Sequence, residues 1–179
     1  MKRFPLLGLT LTLGTLLLAA CGGSAAPAAP AAPQAASNLF IATDMVEGSK
    51  NVPQDQASLR SCVLSSRFPR NAEIVWRARV FDPVKGDLMD GNALSAVQVK
   101  LANGKVLDMH YAAHPASPPG EMYWTASWVV PKDQPTGSFK YSIVATASDG
   151  RSGQWQPFSV AASLPTITDE VLPDAPTSG

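Results

Sequence analysis

Apolar and polar residues alternate along the middle of the chain with a period of two, which is the pattern of a half-buried β-strand. The clearest segment runs from Glu73 to Phe81, where Arg77 and Arg79 fall on the face opposite the apolar one. The apolar face consists of Ile74, Trp76, Ala78 and Val80. We therefore predict a strand with one side in the core and the other in solvent.

The same alternation recurs in later segments that are separated by turn residues. These segments are Val97 to Leu101, Val106 to Leu107, Trp124 to Val130, Phe139 to Ala145 and Trp155 to Val160. The Asn103-Gly104 pair between the first two predicts a tight antiparallel hairpin. Two weaker strand candidates, Leu39 to Ile41 and Leu59 to Leu64, lie upstream. Six to eight strands and no helical stripe of useful length predict an all-β fold, an antiparallel two-sheet sandwich.

The last of these segments carry a resemblance to a known class of domain. The run from Pro135 to Arg151 (PTGSFKYSIVATASDGR), followed by Trp155 and Phe158, resembles the final hairpin of bacterial immunoglobulin-like and fibronectin-like domains. The resemblance covers about Arg70 to Ala161 and lacks the paired core cysteines of antibody domains. It therefore implies the disulfide-free bacterial branch of the immunoglobulin-like fold, whose members serve mostly as binding modules, spacers or assembly subunits.

The N-terminus has the layout of a secretory signal. A positive start at Lys2 and Arg3 precedes a short apolar run and small residues, and the apolar run is too short for a stable membrane-spanning helix. Leu18 to Cys21 (Leu-Ala-Ala-Cys) resembles the lipobox of bacterial lipoproteins. The resemblance implies that residues 1–20 are removed as a signal peptide and that Cys21 is acylated with palmitate-type chains. An ordinary signal cut near Ala20 is the alternative.

The lipid would place the mature chain on a membrane of the bacterial cell envelope. Gly22 stands where an aspartate would resemble an inner-membrane retention signal, so the outer membrane, on its periplasmic or surface face, is favoured. Residues 21–37 are predicted to be the lipidated cysteine and a flexible Ala/Pro-rich linker. The sandwich is predicted to occupy residues 38–162. The proline-containing residues 163–179 are predicted to be a disordered tail after a last extended segment at Thr166 to Thr168.

The net charge and the short motifs of the chain argue against nucleic-acid binding and against catalysis. Removing residues 1–20 takes Lys2 and Arg3 from the 14 basic residues and leaves 12 against 14 acidic ones. This near-neutral chain lacks the clustered basic residues that nucleic-acid binding needs. It also lacks a Gly-x-Ser-x-Gly elbow, a His-Glu-x-x-His pair, a phosphate loop and a Cys-x-x-Cys pair. We predict a non-enzymatic envelope domain, without a cofactor, that binds a protein partner or acts as a spacer.

One stretch offers an alternative function, which is copper binding. Met109, His110 and His114 lie close together in sequence, Met122 follows a proline-rich loop, and Cys62 could add a thiolate. Imidazole, thioether and thiolate are ligand types that suit copper. Against a common site, residues four apart share a face on a helix, whereas this stretch is predicted at the end of a strand. The other interpretation places His110 on an exposed strand face and Met109 in the core.

If Cys21 carries lipid, no second cysteine remains to form a disulfide with Cys62, and a buried thiol is then expected.

Aspartates in the segment from Asp82 to Asp90 suggest calcium, but turn formation explains them without an ion. Trp124 and Trp128 share one predicted face, which favours a place in the core over a surface that binds sugars or proteins.

Overall fold

The structure is a computed structural model, and it describes residues 38–60, 62–114, 119–160 and 163–174. These residues lie within one compact unit, Gln34–Gly179. The predicted signal peptide, the lipidation site Cys21 and the linker 21–37 fall outside the described residues. Over the ranges just given, no helix is both long enough and apolar enough to cross a membrane.

Strands dominate the fold. In chain order the elements are β1 (Phe40–Glu47), α1 (Ala57–Arg60), β2 (Arg67–Arg70), β3 (Glu73–Phe81), β4 (Leu94–Leu101), β5 (Val106–Asp108), β6 (His110–His114), β7 (Glu121–Val129), β8 (Gly137–Ser138), β9 (Tyr141–Ala147), β10 (Ser152–Trp155) and β11 (Thr166–Val171). The first sheet has the order β1-β3-β7-β6, and the second has the order β10-β9-β4-β5. All pairings within these two sheets are antiparallel.

The strand order is that of an immunoglobulin-like sandwich. In that fold the first, second, fifth and fourth strands form one sheet, and the seventh, sixth and third form the other. Counting β1, β3, β4, β6, β7, β9 and β10 as the seven strands reproduces both sheets, and β5 extends the second sheet beside β4. The predicted all-β, antiparallel two-sheet sandwich is therefore confirmed.

Alternating apolar side chains from both sheets form the core between them. Trp76 is fully buried on β3, and its ring centroid lies 5.7 Å from that of Tyr141 in the other sheet. Trp124 and Trp128 are also buried, as their shared face predicted. Trp76 pairs with Ala126, so a small side chain lies beside the large indole.

Two predicted strands differ from the structure. The segment from Leu59 to Leu64 contains the end of the short helix α1, and Leu64 makes only an isolated bridge to Val46. Its leucines do not face the core, because they lie on the surface. The last predicted strand ends at Trp155, since Pro157 has no N–H group to continue the pairing. Phe158 is consequently exposed.

Strand β11 lies beyond residue 162, the predicted end of the sandwich, and it contains the extended segment predicted at Thr166 to Thr168. This strand pairs in parallel with β2 and antiparallel with β8. Pro165, Ile167 and Leu172 are buried around it. The side chain of Asn71 donates hydrogen bonds of 3.0 Å to the carbonyls of Leu172 and Pro173, which holds the end of this segment against the sandwich.

Candidate functional site

The outer face of the first sheet carries a row of polar side chains across all four strands. Asp44 on β1 pairs with Arg77 on β3, Arg77 pairs with Thr125 on β7, and Thr125 pairs with His110 on β6. Because side chains alternate along each strand, these residues flank the core positions and point away from them. The face that the sequence predicted to be in solvent is therefore a continuous polar surface.

Ion pairs and an aromatic ring organise this surface. Arg77 donates from Nε and Nη2 to the two carboxylate oxygens of Asp44, at 2.7 and 2.8 Å, and this pairing raises the pKa of Arg77. The guanidinium carbons of Arg77 and Arg79 lie 5.0 and 4.4 Å from the centroid of the Tyr123 ring. Arg79 also forms an ion pair with Glu121, which accepts a 2.8 Å hydrogen bond from the Tyr123 hydroxyl. Each arginine thus has a carboxylate partner.

Cys62 and His114 meet at this surface, with 3.7 Å between the cysteine Sγ and the imidazole Nε2. Cys62 follows α1 and donates its backbone N–H to the carbonyl of Glu47 at the end of β1. His114 is the last residue of β6, which forms the opposite edge of the sheet. The contact therefore joins the connection that follows α1, held at the end of β1, to the strand at the other edge of the sheet.

The surroundings of His114 favour the neutral imidazole. Partial burial, followed by the positive charge of Arg77, lowers the pKa of His114 below its ordinary value, and the negative charge of Asp44 opposes this effect. A neutral ring has an unprotonated nitrogen that can accept a hydrogen bond or coordinate a metal. The ring nitrogen nearest the sulfur, Nε2, can take either role in the tautomer that carries its proton on Nδ1.

The predicted copper ligands do not converge as one set. Met109 is buried in the core, whereas His110 is exposed on the outer face. Met122 precedes Tyr123 on β7, so it lies on the side of the sheet opposite the outer face. His110 and His114 share the outer face, but four residues of strand separate them by about 13 Å. Only Cys62 and His114 of the five predicted ligands come into contact.

Cys62 is exposed, contrary to the expected buried thiol, because it lies in the surface connection after α1. Its backbone φ of 62° is in the left-handed region, which non-glycine residues adopt infrequently. Within residues 38–60, 62–114, 119–160 and 163–174, no group of three or more His, Cys, Asp and Glu side chains could hold a metal ion. The pair therefore brings two ligands together rather than a complete coordination sphere.

Sequence reasoning missed the carboxylates of this surface and the contact of Tyr123 with the two arginines. The alternation did place Arg77 and Arg79 on the outer side of their strand, and it placed Tyr123 opposite Trp124. It contained no information on Asp44, which becomes the neighbour of Arg77 only through the pairing of β1 with β3.

A second feature is an apolar groove beside the middle of β1, at Thr43 to Met45. This Phe158 groove has a volume of about 390 Å³ and is lined by Leu64, Tyr141, Trp155 and Phe158. Asp44 is among the polar residues at its edge. Phe158 is 76% exposed and Leu64 is 65% exposed. Exposed apolar side chains that line a common groove are typical of interaction sites.

The aspartates proposed for calcium are engaged in the loop itself. Asp82 accepts backbone hydrogen bonds from Val84 and Lys85 at 2.9 and 3.2 Å and forms a 2.8 Å ion pair with Arg151. These contacts lower the pKa of Asp82, with the hydrogen bond from Arg151 as the largest cause. Asp90 accepts similar backbone hydrogen bonds from the residues that follow it. The contacts agree with turn formation as the role of these side chains.

Comparisons with known proteins add little to this geometry. No protein-family model matches the chain, and no curated protein matches it. A crystal structure of a DUF4426 family protein from Pseudomonas aeruginosa PAO1 aligns with 17% sequence identity over 66% of this chain and 84% of that chain, with a TM-score of 0.33. A similarity at that level carries no argument about fold or function, so the sandwich is assigned from its own strand order.

Proposed function

We propose that this chain is a non-enzymatic, lipid-anchored protein of the bacterial envelope whose immunoglobulin-like domain binds a protein partner through the Phe158 groove. The observation that carries the proposal is the exposure of Phe158 and Leu64 in one apolar groove. The signal-like N-terminus and Cys21 motivate the lipid anchor, with the outer membrane favoured.

The position of the groove supports this proposal. The described chain begins at Asn38, and the N–H of Leu39 donates to the carbonyl of Ser152 at the start of β10. From there β1 reaches the groove at Thr43 to Met45, which lie four to six residues, or roughly 13–20 Å, further along the strand. A partner bound at the groove would thus contact the domain some distance along β1 from Asn38, the first residue that the structure describes.

The chemistry of the groove fits a protein surface. Fully burying a Phe or Leu side chain contributes about 1.5–3 kcal/mol, so covering the exposed parts of Phe158 and Leu64 would contribute about 2–4 kcal/mol before the entropic cost of association. Interfaces obtain most of their affinity from a few such residues, with aromatic rings prominent among them. Polar side chains at the groove edge, including Asp44, would form the hydrated rim.

The experiment is site-specific photocrosslinking of the full-length lipoprotein in intact envelopes. A photoreactive residue at position 158 is compared with one at Val84, which is 72% exposed in the loop after β3 and does not line the groove. We expect one protein adduct at position 158, none at position 84, and loss of the adduct when Leu64→Ser is added. Adducts of equal yield at both positions, or no adduct at either, would refute partner binding and favour a structural spacer.

A further inference from the structure

We propose that Cys62 and His114 form a binding site for a thiophilic d10 metal ion, Cu⁺ or Zn²⁺, on the outer face of the first sheet. The site is separate from the Phe158 groove and goes beyond the function proposed above. It replaces the broader ligand set suggested by sequence with the two side chains that the fold brings into contact.

The separation of the two ligand atoms is that of ligands on one ion. Metal–sulfur and metal–nitrogen bonds of about 2.3 and 2.0–2.1 Å, at an angle of about 110–120°, place sulfur and nitrogen about 3.6–3.8 Å apart. The observed distance from Cys62 Sγ to His114 Nε2 is 3.7 Å. An ion could therefore be accommodated without moving either backbone.

The donor types determine the class of metal. A thiolate is a soft ligand that selects Cu⁺ and Zn²⁺, and an imidazole suits both ions. Hard ions such as Mg²⁺ and Ca²⁺ prefer oxygen ligands and gain nothing from this pair. Because the ligands belong to segments 52 residues apart in sequence, the site forms in the folded chain, and metal binding should stabilise the fold.

The charges next to the pair permit a cation. Arg77 is the nearest positive group identified by its effect on His114, and by itself it would repel a metal ion. Its guanidinium is held by both carboxylate oxygens of Asp44, whose negative charge offsets part of this repulsion. Cys62 is exposed and His114 is half-buried, which leaves the remaining coordination positions open to water or to an added ligand. We therefore expect an exchangeable ion bound less tightly than in a closed four-ligand site.

The test uses the purified full-length lipoprotein in detergent under anaerobic, reducing conditions. Cu⁺ is titrated in competition with a chromophoric chelator, and Zn²⁺ is titrated separately by equilibrium dialysis. The variants are Cys62→Ser and His114→Gln, and the matched control is His110→Gln, because His110 lies on the same face of the same strand. Cys21 is present in every protein, so any metal that it binds cancels in the comparison.

We expect one equivalent of Cu⁺ or Zn²⁺ to bind in a Cys62-dependent manner and to raise the unfolding temperature. Cys62→Ser and His114→Gln should each weaken binding by at least about tenfold, a loss that even the outer-shell partners of a metal site can cause. The control His110→Gln should bind as the wild type does. Equal weakening by His110→Gln, or the same binding in Cys62→Ser as in the wild type, would overturn the proposal. Absence of binding for both ions would leave the pair as a thiol–imidazole hydrogen bond.

Discussion

Replacing Trp76 by alanine tests the assignment of the inner face. Trp76 lies in the middle of β3, paired with Met45 on one side and Ala126 on the other. It is fully buried, and its ring contacts that of Tyr141 across the sandwich at a centroid distance of 5.7 Å. The indole therefore joins the two sheets, and its removal opens a cavity between them.

The size of the effect follows from the buried area. A tryptophan buries about 150–250 Å², which at about 25 cal/mol per Å² corresponds to about 4–6 kcal/mol. The alanine methyl retains part of this contribution, and Trp→Ala substitutions in cores cost about 3–5 kcal/mol. We expect a loss of about 4 kcal/mol in the free energy of unfolding. In a domain of this size such a loss lowers the melting temperature by roughly 12–20 °C.

Urea unfolding followed by far-ultraviolet circular dichroism measures this loss without relying on tryptophan fluorescence. Trp76→Phe should lose less, because it keeps an aromatic ring in the same space. Phe158→Ala is the matched control, since Phe158 is 76% exposed and its truncation should change stability by less than about 0.5 kcal/mol. A Trp76→Ala protein as stable as the Phe158→Ala protein would show that the inner and outer faces have been exchanged.

Three further substitutions test other parts of the fold by urea unfolding. Gly153→Ala should cost about 1–3 kcal/mol, because the added methyl group would collide with the backbone carbonyl of Leu39. Asp82→Asn should be destabilising at pH 7. Because the folded state lowers the pKa of Asp82, the greater free energy of unfolding of the wild type should be lost as the pH falls below about 4. A difference in unfolding free energy that does not change with pH would contradict the ionic role. Asn71→Ala should cost about 2–3 kcal/mol, because it removes the hydrogen bonds to the carbonyls after β11 and leaves alanine at a φ of 65°. Asn71→Gly should recover the part of this loss that comes from the positive φ. Unchanged proteolysis near β11 in Asn71→Ala would show that the Asn71 side chain does not hold this segment in place.

Local patterns were sufficient for most of the sandwich. The alternation from Glu73 to Phe81 predicts a strand with the bounds that β3 has in the structure. The Asn103-Gly104 pair predicts the turn between β4 and β5, where Gly104 has a φ of 86°. These features depend on neighbouring residues, because the pleat alternates side chains and glycine adopts positive φ easily. A few neighbouring residues are therefore sufficient to predict these features.

Segments that owe their structure to distant partners were not predictable in this way. β11 is held by pairing in parallel with β2, which lies about a hundred residues earlier in the chain. Its short alternation and its neighbouring prolines are equally typical of a tail. The segment from Leu59 to Leu64 is apolar enough for a strand, yet the strands already present fill the core and leave it on the surface.

The sequence by itself determined the all-β class, the inner face of each central strand and the residue types from which a metal site could form. Only the tertiary structure decided that Cys62 meets His114, while Met109 enters the core and His110 stays four residues away along the strand. The physical reason is the separation in sequence between the residues that determine each feature. Alternation along a strand follows from backbone geometry at adjacent residues. Contact between opposite edges of a sheet depends on strand order and twist, which arise from the burial of the whole core.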